Sequence, residues 1–178
     1  MIIRIAQVTT SHSRYDKRIF IKQCSSLSKL FSVSLYVSDG NGYEKRNNVH
    51  IFDIGKKYRR LARFFILPFL TLKIILKENY DIYHLHDPEL LLIVPFLKIK
   101  GKIIIFDSHE DIPLQMISKP YLNQPTLKII SCLYKIFQSL ILPYVDGVIT
   151  ATPFIKNKLS KLNSNTIDIK NYPITNND

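Results

Sequence analysis

The chain has 178 residues, 46% of them hydrophobic and only 5 of them glycine, which excludes a disordered or low-complexity protein and fits one domain with a sizeable core. Lysine and arginine number 25 against 14 acids, a formal net charge of +11 at pH 7, so the expected partners are anionic: membrane phospholipid, a diphosphate or nucleic acid. The 2 cysteines, Cys24 and Cys132, sit far apart in apolar segments and belong to no CxxC pair, which argues against a disulfide framework or zinc site and for a reducing cytosolic compartment.

Ile2 to Val8 is a short apolar run and is expected to be a buried strand. It follows no charged and apolar leader, so no signal peptide is expected. The next loop reads Thr9-Thr-Ser-His-Ser-Arg14-Tyr-Asp16. It has no glycine, which argues against a GxGxxG dinucleotide site. It does offer the hydroxyls of Thr10 and Ser11, the charge of Arg14 and a helix N-terminus, a set that suits a phosphate. Asp16 is the expected N-cap of a helix to about Phe31, with Phe20, Cys24, Leu27 and Phe31 at helical spacing. Val33 to Val37 reads as a second strand, Asp39-Gly-Asn-Gly42 as a turn, and Val49 to Ile54 as a third strand.

A basic cluster follows: Lys56, Lys57, Arg59, Arg60 and Arg63, at the start of a helix over Arg60 to Lys77 that Pro68 interrupts. Positive charge opposes the helix dipole there, a placement that an external anion would offset. Phe64 and Phe65 continue an apolar run too short to cross a bilayer. Two readings remain open: a helix lying on a membrane surface, or one buried beside the sheet with a solvated basic end.

Ile82 to Leu85 is the fourth expected strand, and it ends in His86-Asp87-Pro88-Glu89. His84 and His86 are two apart and share a strand face, with His84 expected inside. Asp87 is expected to cap, and Pro88 to open, the next helix. Lys102 to Phe106 is the fifth strand, ending in Asp107-Ser-His109-Glu110-Asp111. Nearby carboxylates should raise or orient the His109 ring, which could then bond a sugar or stabilise developing charge. No metal is expected, because the histidine spacing matches no ligand motif. A long loop around Pro113 and Pro120, a core-packed helix from Leu127 to Leu142, a strand from Val145 to Thr150, a helix from Phe154 to Leu162 and a short strand from Thr166 to Ile169 complete the pattern. Strand and helix alternate and the strands are almost continuously apolar. The expected fold is therefore α/β: a Rossmann-like, doubly wound parallel sheet of about seven strands with helices on both faces. Two such strands deliver His, Asp and Glu to the carboxyl edge, where ligands of these sheets bind.

HxHDPE after one strand, D-x-HED-x-P after the next, and Ser118-Lys-Pro-Tyr121 resemble the N-terminal half of retaining GT-B glycosyltransferases, above all the family 4 group that builds cell-surface polysaccharides and glycolipids. The resemblance runs from Ile2 to Pro173. It implies that residues 1–170 form the acceptor-binding half and 171–178 a hinge or linker tail, Asn171-Tyr-Pro173 being similar to the N-x-P hinge of the family. The donor-binding half, with its E-x7-E motif, is not in this sequence. By position, the resemblance makes His109 the catalytic-cleft histidine. It puts His86, Asp87, Glu89, Glu110 and Asp16 at the acceptor and Thr10, Ser11 and Arg14 at the donor diphosphate, although that loop is usually glycine-rich. Lys56, Lys57, Arg59, Arg60, Arg63, Phe64 and Phe65 would dock on an anionic membrane.

The implied function is transfer of a sugar from a nucleotide-diphosphate donor to a lipid-linked or growing cell-surface glycan, inactive without the other half. No cofactor is implied beyond the nucleotide-sugar co-substrate. The implied partners are a C-terminal half or partner subunit, the acceptor and the cytoplasmic face of the cell membrane, with no nucleic acid. The alternative is a non-catalytic membrane-docking subunit that recruits a separate catalytic chain.

Overall fold

The structure is a computed structural model and describes residues 2–56, 58–118 and 123–172. Lys57, most of the Ser118–Tyr121 motif, Pro173 and the rest of the tail lie outside the described residues, as does the side chain of Arg60. Eight strands are described: β1 (Arg4–Val8), β2 (Ser32–Val37), β3 (Glu44–Arg46), β4 (Val49–Asp53), β5 (Ile82–Leu85), β6 (Ile103–Ser108), β7 (Gly147–Thr150) and β8 (Thr166–Asp168). They form one sheet in the order β3-β4-β2-β1-β5-β6-β7-β8. All pairings are parallel except β3 on β4. β3 is the strand that hydropathy misses, since Glu-Lys-Arg carries no apolar signal. It is made by its turn: Asn47 and Asn48 take positive φ values of 50° and 59°, the left-handed geometry that closes a tight hairpin.

The chain winds to one side of β1 and then, from β5, to the other. The carboxyl ends of β1 and β5 therefore meet at the switch point where such sheets open a crevice. A large apolar cluster on one face joins Val8, Tyr83, Leu85, Ile104 and Phe106 to Leu67, Val94, Leu97, Ile155 and Leu159. On the other face, Ile19, Phe20 and Cys24 of the first helix cover Val33, Leu35, Val49 and Ile51.

The first helix is not the regular one its spacing predicts. Residues Lys17–Cys24 wind as a π-helix and only Ser25–Leu27 (α1) as an α-helix. Its wide turns show in the bond from Ile21 N to Asp16 O at 3.1 Å. Asp16 caps it as expected, accepting from the N–H groups of Arg18 and Ile19. The predicted helix after the basic cluster is two, α2 (Arg60–Phe65) and α3 (Leu67–Ile75), with Pro68 in the first turn of α3, where its missing N–H costs nothing. A 3₁₀ segment, Pro88–Ile93, leads into α4 (Val94–Ile99). The stretch expected as loop around Pro113 holds α5 (Ile112–Ile117), started by Asp111 accepting from Leu114 N. Then follow α6 (Gln124–Ile141) and α7 (Pro153–Leu159), capped by Asn123 and Thr152.

Candidate functional site

The site is built where β1, β5 and β6 end. Asp87 stands at the N-cap position before Pro88, yet its side chain makes no bond to that helix. The expected capping role is corrected by what the carboxylate does instead. It turns beneath the loop after β1 and accepts from Thr9 Oγ1 at 2.7 Å, Thr10 N at 2.6 Å and Ser11 N at 3.3 Å, and also from the Ser11 hydroxyl. His12 Nδ1 lies 3.3 Å from its other oxygen. Burial alone would raise the Asp87 carboxyl; the bonds from His12, Ser11 and Thr9 outweigh it and hold it well below the usual carboxylate range. For His12, burial works against the charged ring, but Asp87, with Asp16 and Asp107 behind it, wins and raises its pKa. His12 carried no sequence signal of its own. Only the long-range partner Asp87 marks it.

The second half of the site is centred on Asp107, which is fully enclosed. Arg18 reaches it with two nitrogens, Nη2 at 2.9 Å and Nε at 3.3 Å, and Gln23 Nε2 donates at 2.6 Å. The π-winding explains this pairing, since it brings residues five apart in sequence to the same side. Three imidazoles face the same carboxylate: His84 at 3.9 Å, His86 at 3.8 Å and His109 at 3.5 Å. Burial, reinforced for His86 by His84 and His109, lowers the pKa of His84 to about 4 and keeps His86 neutral. For Asp107, burial is outweighed by His109, His84 and Arg18, so its carboxyl is held down.

His109 stacks on His86, with ring centroids 5.6 Å apart and planes within 4°, and meets the edge of His12 at 5.2 Å. Its flanking acids were expected to raise it; the structure reverses this. Burial dominates over the attraction of Asp107, and Arg18 and His12 add to the lowering, so the ring is neutral near pH 7. Neither ring nitrogen has a hydrogen-bond partner among the described residues. His109, His12, Asp16, Arg18, Glu110, Ala151 and Asn171 line a depression of about 220 Å³.

Several expected site residues lie elsewhere or face inward. His86 was expected at the acceptor, but it is buried and its Nε2 pairs with Gln7 Oε1 at 2.6 Å; it backs His109 instead. Glu89 is fully buried, accepts from Thr10 Oγ1 at 2.8 Å and ion-pairs with Arg63 Nε at 2.9 Å. Burial and then Asp87 raise its pKa against the pull of Arg63. Thr10 and Ser11, expected at a diphosphate, spend their donors on Asp87 and Glu89. Arg14 donates to Asp39 at 2.7 and 2.9 Å and to Gly42 O at 2.8 Å, and approaches Glu44 at 3.4 Å. It floors a separate hollow of about 660 Å³ with Tyr15, Asn41 and Tyr43, where the two carboxylates of Asp39 and Glu44 already engage its charge. Asp87 is likewise enclosed, while Glu110 is exposed on the rim and Asp16 keeps its cap. Arg18, which sequence reading passed over as an ordinary helix residue, lines the depression beside His12, but it is buried and its guanidinium already donates to Asp107 and to Ile169 O.

His84, His86 and Asp107 each offer one ligand atom within 4.8 Å of the others, close to a metal-binding spacing. The donors do not fit a divalent cation, because Arg18 and Gln23 already hold the carboxylate and a fixed guanidinium charge stands beside it.

A parallel sheet with its polar groups gathered at the carboxyl edge of β1, β5 and β6 defines a Rossmann-like half of the GT-B type. The chain belongs to Glycosyltransferase Family 4, whose model matches residues 21–169. No curated protein is matched by the sequence. Solved structures share the fold at low identity. Sucrose-phosphate synthase from Thermosynechococcus elongatus superposes with a TM-score of 0.69 and 12% identity over 94% of this chain and 48% of that one. The catalytic domain of Starch Synthase IV from Arabidopsis thaliana, bound to ADP and acarbose, gives 0.60 and 10% over 96% and 51%. UDP-N-acetylglucosamine 2-epimerase from Rickettsia bellii gives 0.58 and 13% over 94% and 44%. The chain thus spans about half the length of these three proteins.

Proposed function

We propose that the chain is the acceptor-binding half of a retaining glycosyltransferase that moves a sugar from a nucleotide-diphosphate donor to a lipid-linked or growing cell-surface glycan. The observation that carries this is the neutral, largely covered ring of His109, whose two enclosed nitrogens have no hydrogen-bond partner among the described residues and which lines a depression together with His12 and Arg18. In transfer, the anomeric carbon gains a bond to the acceptor oxygen, whose proton leaves with the diphosphate, and loses its bond to that diphosphate. A neutral imidazole accepts a hydrogen bond from a sugar or acceptor hydroxyl, and exposed Glu110 holds a second hydroxyl at the rim. Negative charge grows on the leaving diphosphate; His12, whose pKa Asp87 raises, is the ring placed to meet it, with the Arg18–Asp107 pair behind. The donor itself binds mainly to a second half, supplied in the same chain or by a partner subunit.

A lipid-linked acceptor calls for a membrane-facing surface on the cytoplasmic side. On α2, Phe65 is exposed, Lys56 and Arg59 are solvated just before the helix, and Phe64 is half-buried. Arg63 is committed to Glu89. The remaining basic and aromatic groups support contact with anionic headgroups.

The test is transfer of labelled sugar by the chain supplied together with a donor-binding half. Exchanging His109 for Ala is expected to lower transfer by about 10²-fold or more, with an unchanged far-ultraviolet spectrum and unfolding midpoint. Unchanged transfer, or robust turnover by the 178-residue chain alone, would refute the reading.

A further inference from the structure

α6 carries apolar residues on two sides. The side it packs against the protein holds Leu127, Ser131, Tyr134 and Gln138, with Phe137 and Ile141 partly buried against the core. Ser131 donates to Pro113 O at 2.9 Å, and the Tyr134 hydroxyl is buried with no partner among the described residues. The solvent side is apolar as well: Ile129, Leu133, Ile136 and Leu140 are 61%, 62%, 52% and 63% exposed. Their spacing of four, three and four residues places them in one stripe, which Tyr144 extends at the end of the following 3₁₀ turn (Leu142–Tyr144). A surface helix normally keeps its apolar residues on the packed side alone.

We propose that this stripe is a docking surface for an anionic phospholipid membrane. Charge selects the occupant. From Gln124 to Tyr144 the sequence contains no Asp or Glu, and its charged residues are Lys128 and Lys135. Both are exposed and stand two turns apart along one flank of the stripe. That flank suits lysines that sink their methylene stems into the headgroup layer while holding their ammonium groups at the phosphates. The net charge of +11 adds long-range attraction to the same surface. The stretch is long and apolar enough to cross a bilayer by composition. Its inner side, however, is held on α5 and the protein body, so the helix lies along the membrane. This surface is separate from α2 and does not depend on the reading of His109.

Cys132 supplies the probe, since it is exposed beside the stripe while Cys24 is buried. An environment-sensitive fluorophore on Cys132 of the full chain is expected to shift to the blue with vesicles of phosphatidylcholine containing about a third phosphatidylglycerol, and not with phosphatidylcholine alone. Sedimentation with the same vesicles should fall at least about tenfold for the Leu133→Gln, Leu140→Gln double variant, which touches no buried contact and keeps its unfolding midpoint. A Phe65→Gln variant on α2 should leave the Cys132 shift in place. Unchanged sedimentation of the double variant would overturn the proposal. So would sedimentation equilibrium showing a dimer that the same substitutions dissolve, since the stripe would then join two copies of this chain.

Discussion

At the scale of single residues, Asp87 shows how a side chain can be noticed for one reason and matter for another. The tripeptide Asp-Pro-Glu reads as a helix start, and the backbone agrees; the carboxylate instead gathers the β1 loop, 76 to 78 positions earlier in sequence. Exchange of Asp87 for Ala leaves the buried Thr10 N–H and Thr9 hydroxyl without an acceptor and is expected to cost about 2–4 kcal/mol, read as a lowered urea midpoint at constant slope. The sequence made His109 and Asp87 visible because each ends an apolar strand. It hid His12 and Arg18, because their roles exist only through contacts with Asp87 and Asp107 across the sheet. The sign of the His109 shift was hidden for the same reason: flanking acids are readable, but the degree of enclosure is not.

At the scale of elements, periodicity located nearly every strand and helix but not how they wind or which way they face. The spacing of Phe20, Cys24, Leu27 and Phe31 fits an α-helix; the π-helical winding of Lys17–Cys24 departs from it and places Arg18 and Gln23 together on Asp107. Exchange of Arg18 for Met strands a buried carboxylate and is expected to cost about 3–5 kcal/mol at neutral pH. Without its guanidinium, the Asp107 carboxyl is held down less strongly than in the parent. The deficit relative to the parent should therefore shrink in acid, where the carboxyl protonates and needs no counterion. A deficit independent of pH would contradict the ion pair as its cause. α6 gives the complementary lesson: its apolar content was legible and predicted core packing, which Leu127, Phe137 and Ile141 provide, but the second apolar stripe of Ile129, Leu133, Ile136 and Leu140 faces out.

At the scale of the whole molecule, buried imidazoles set how stability follows pH. His84 takes protons at pH 6.5 when unfolded and only at about 4 when folded, and His86 and His109 are lowered in the same sense. The unfolded chain then binds more protons between these values, so stability present above pH 6.5 is lost as pH falls toward 4. His12 runs the other way: its contribution is full below pH 6.5 and fades as pH rises through its raised value. Below pH 6.5 His12 no longer changes, so the three lowered imidazoles predict urea midpoints that decline from there to pH 4, and a flat profile would mean that they are not enclosed.

The backbone leaving β8 is fastened to the first helix. Arg18 donates to Ile169 O at 3.1 Å, and Lys22 to Asn171 Oδ1 at 2.6 Å and to the carbonyl of Tyr172. One guanidinium therefore grips both the outgoing strand and the carboxylate under His109. Any swing of the polypeptide at Ile169 must be negotiated through that shared grip, so the exit path of the chain and the electrostatic setting of the imidazole cannot be altered independently.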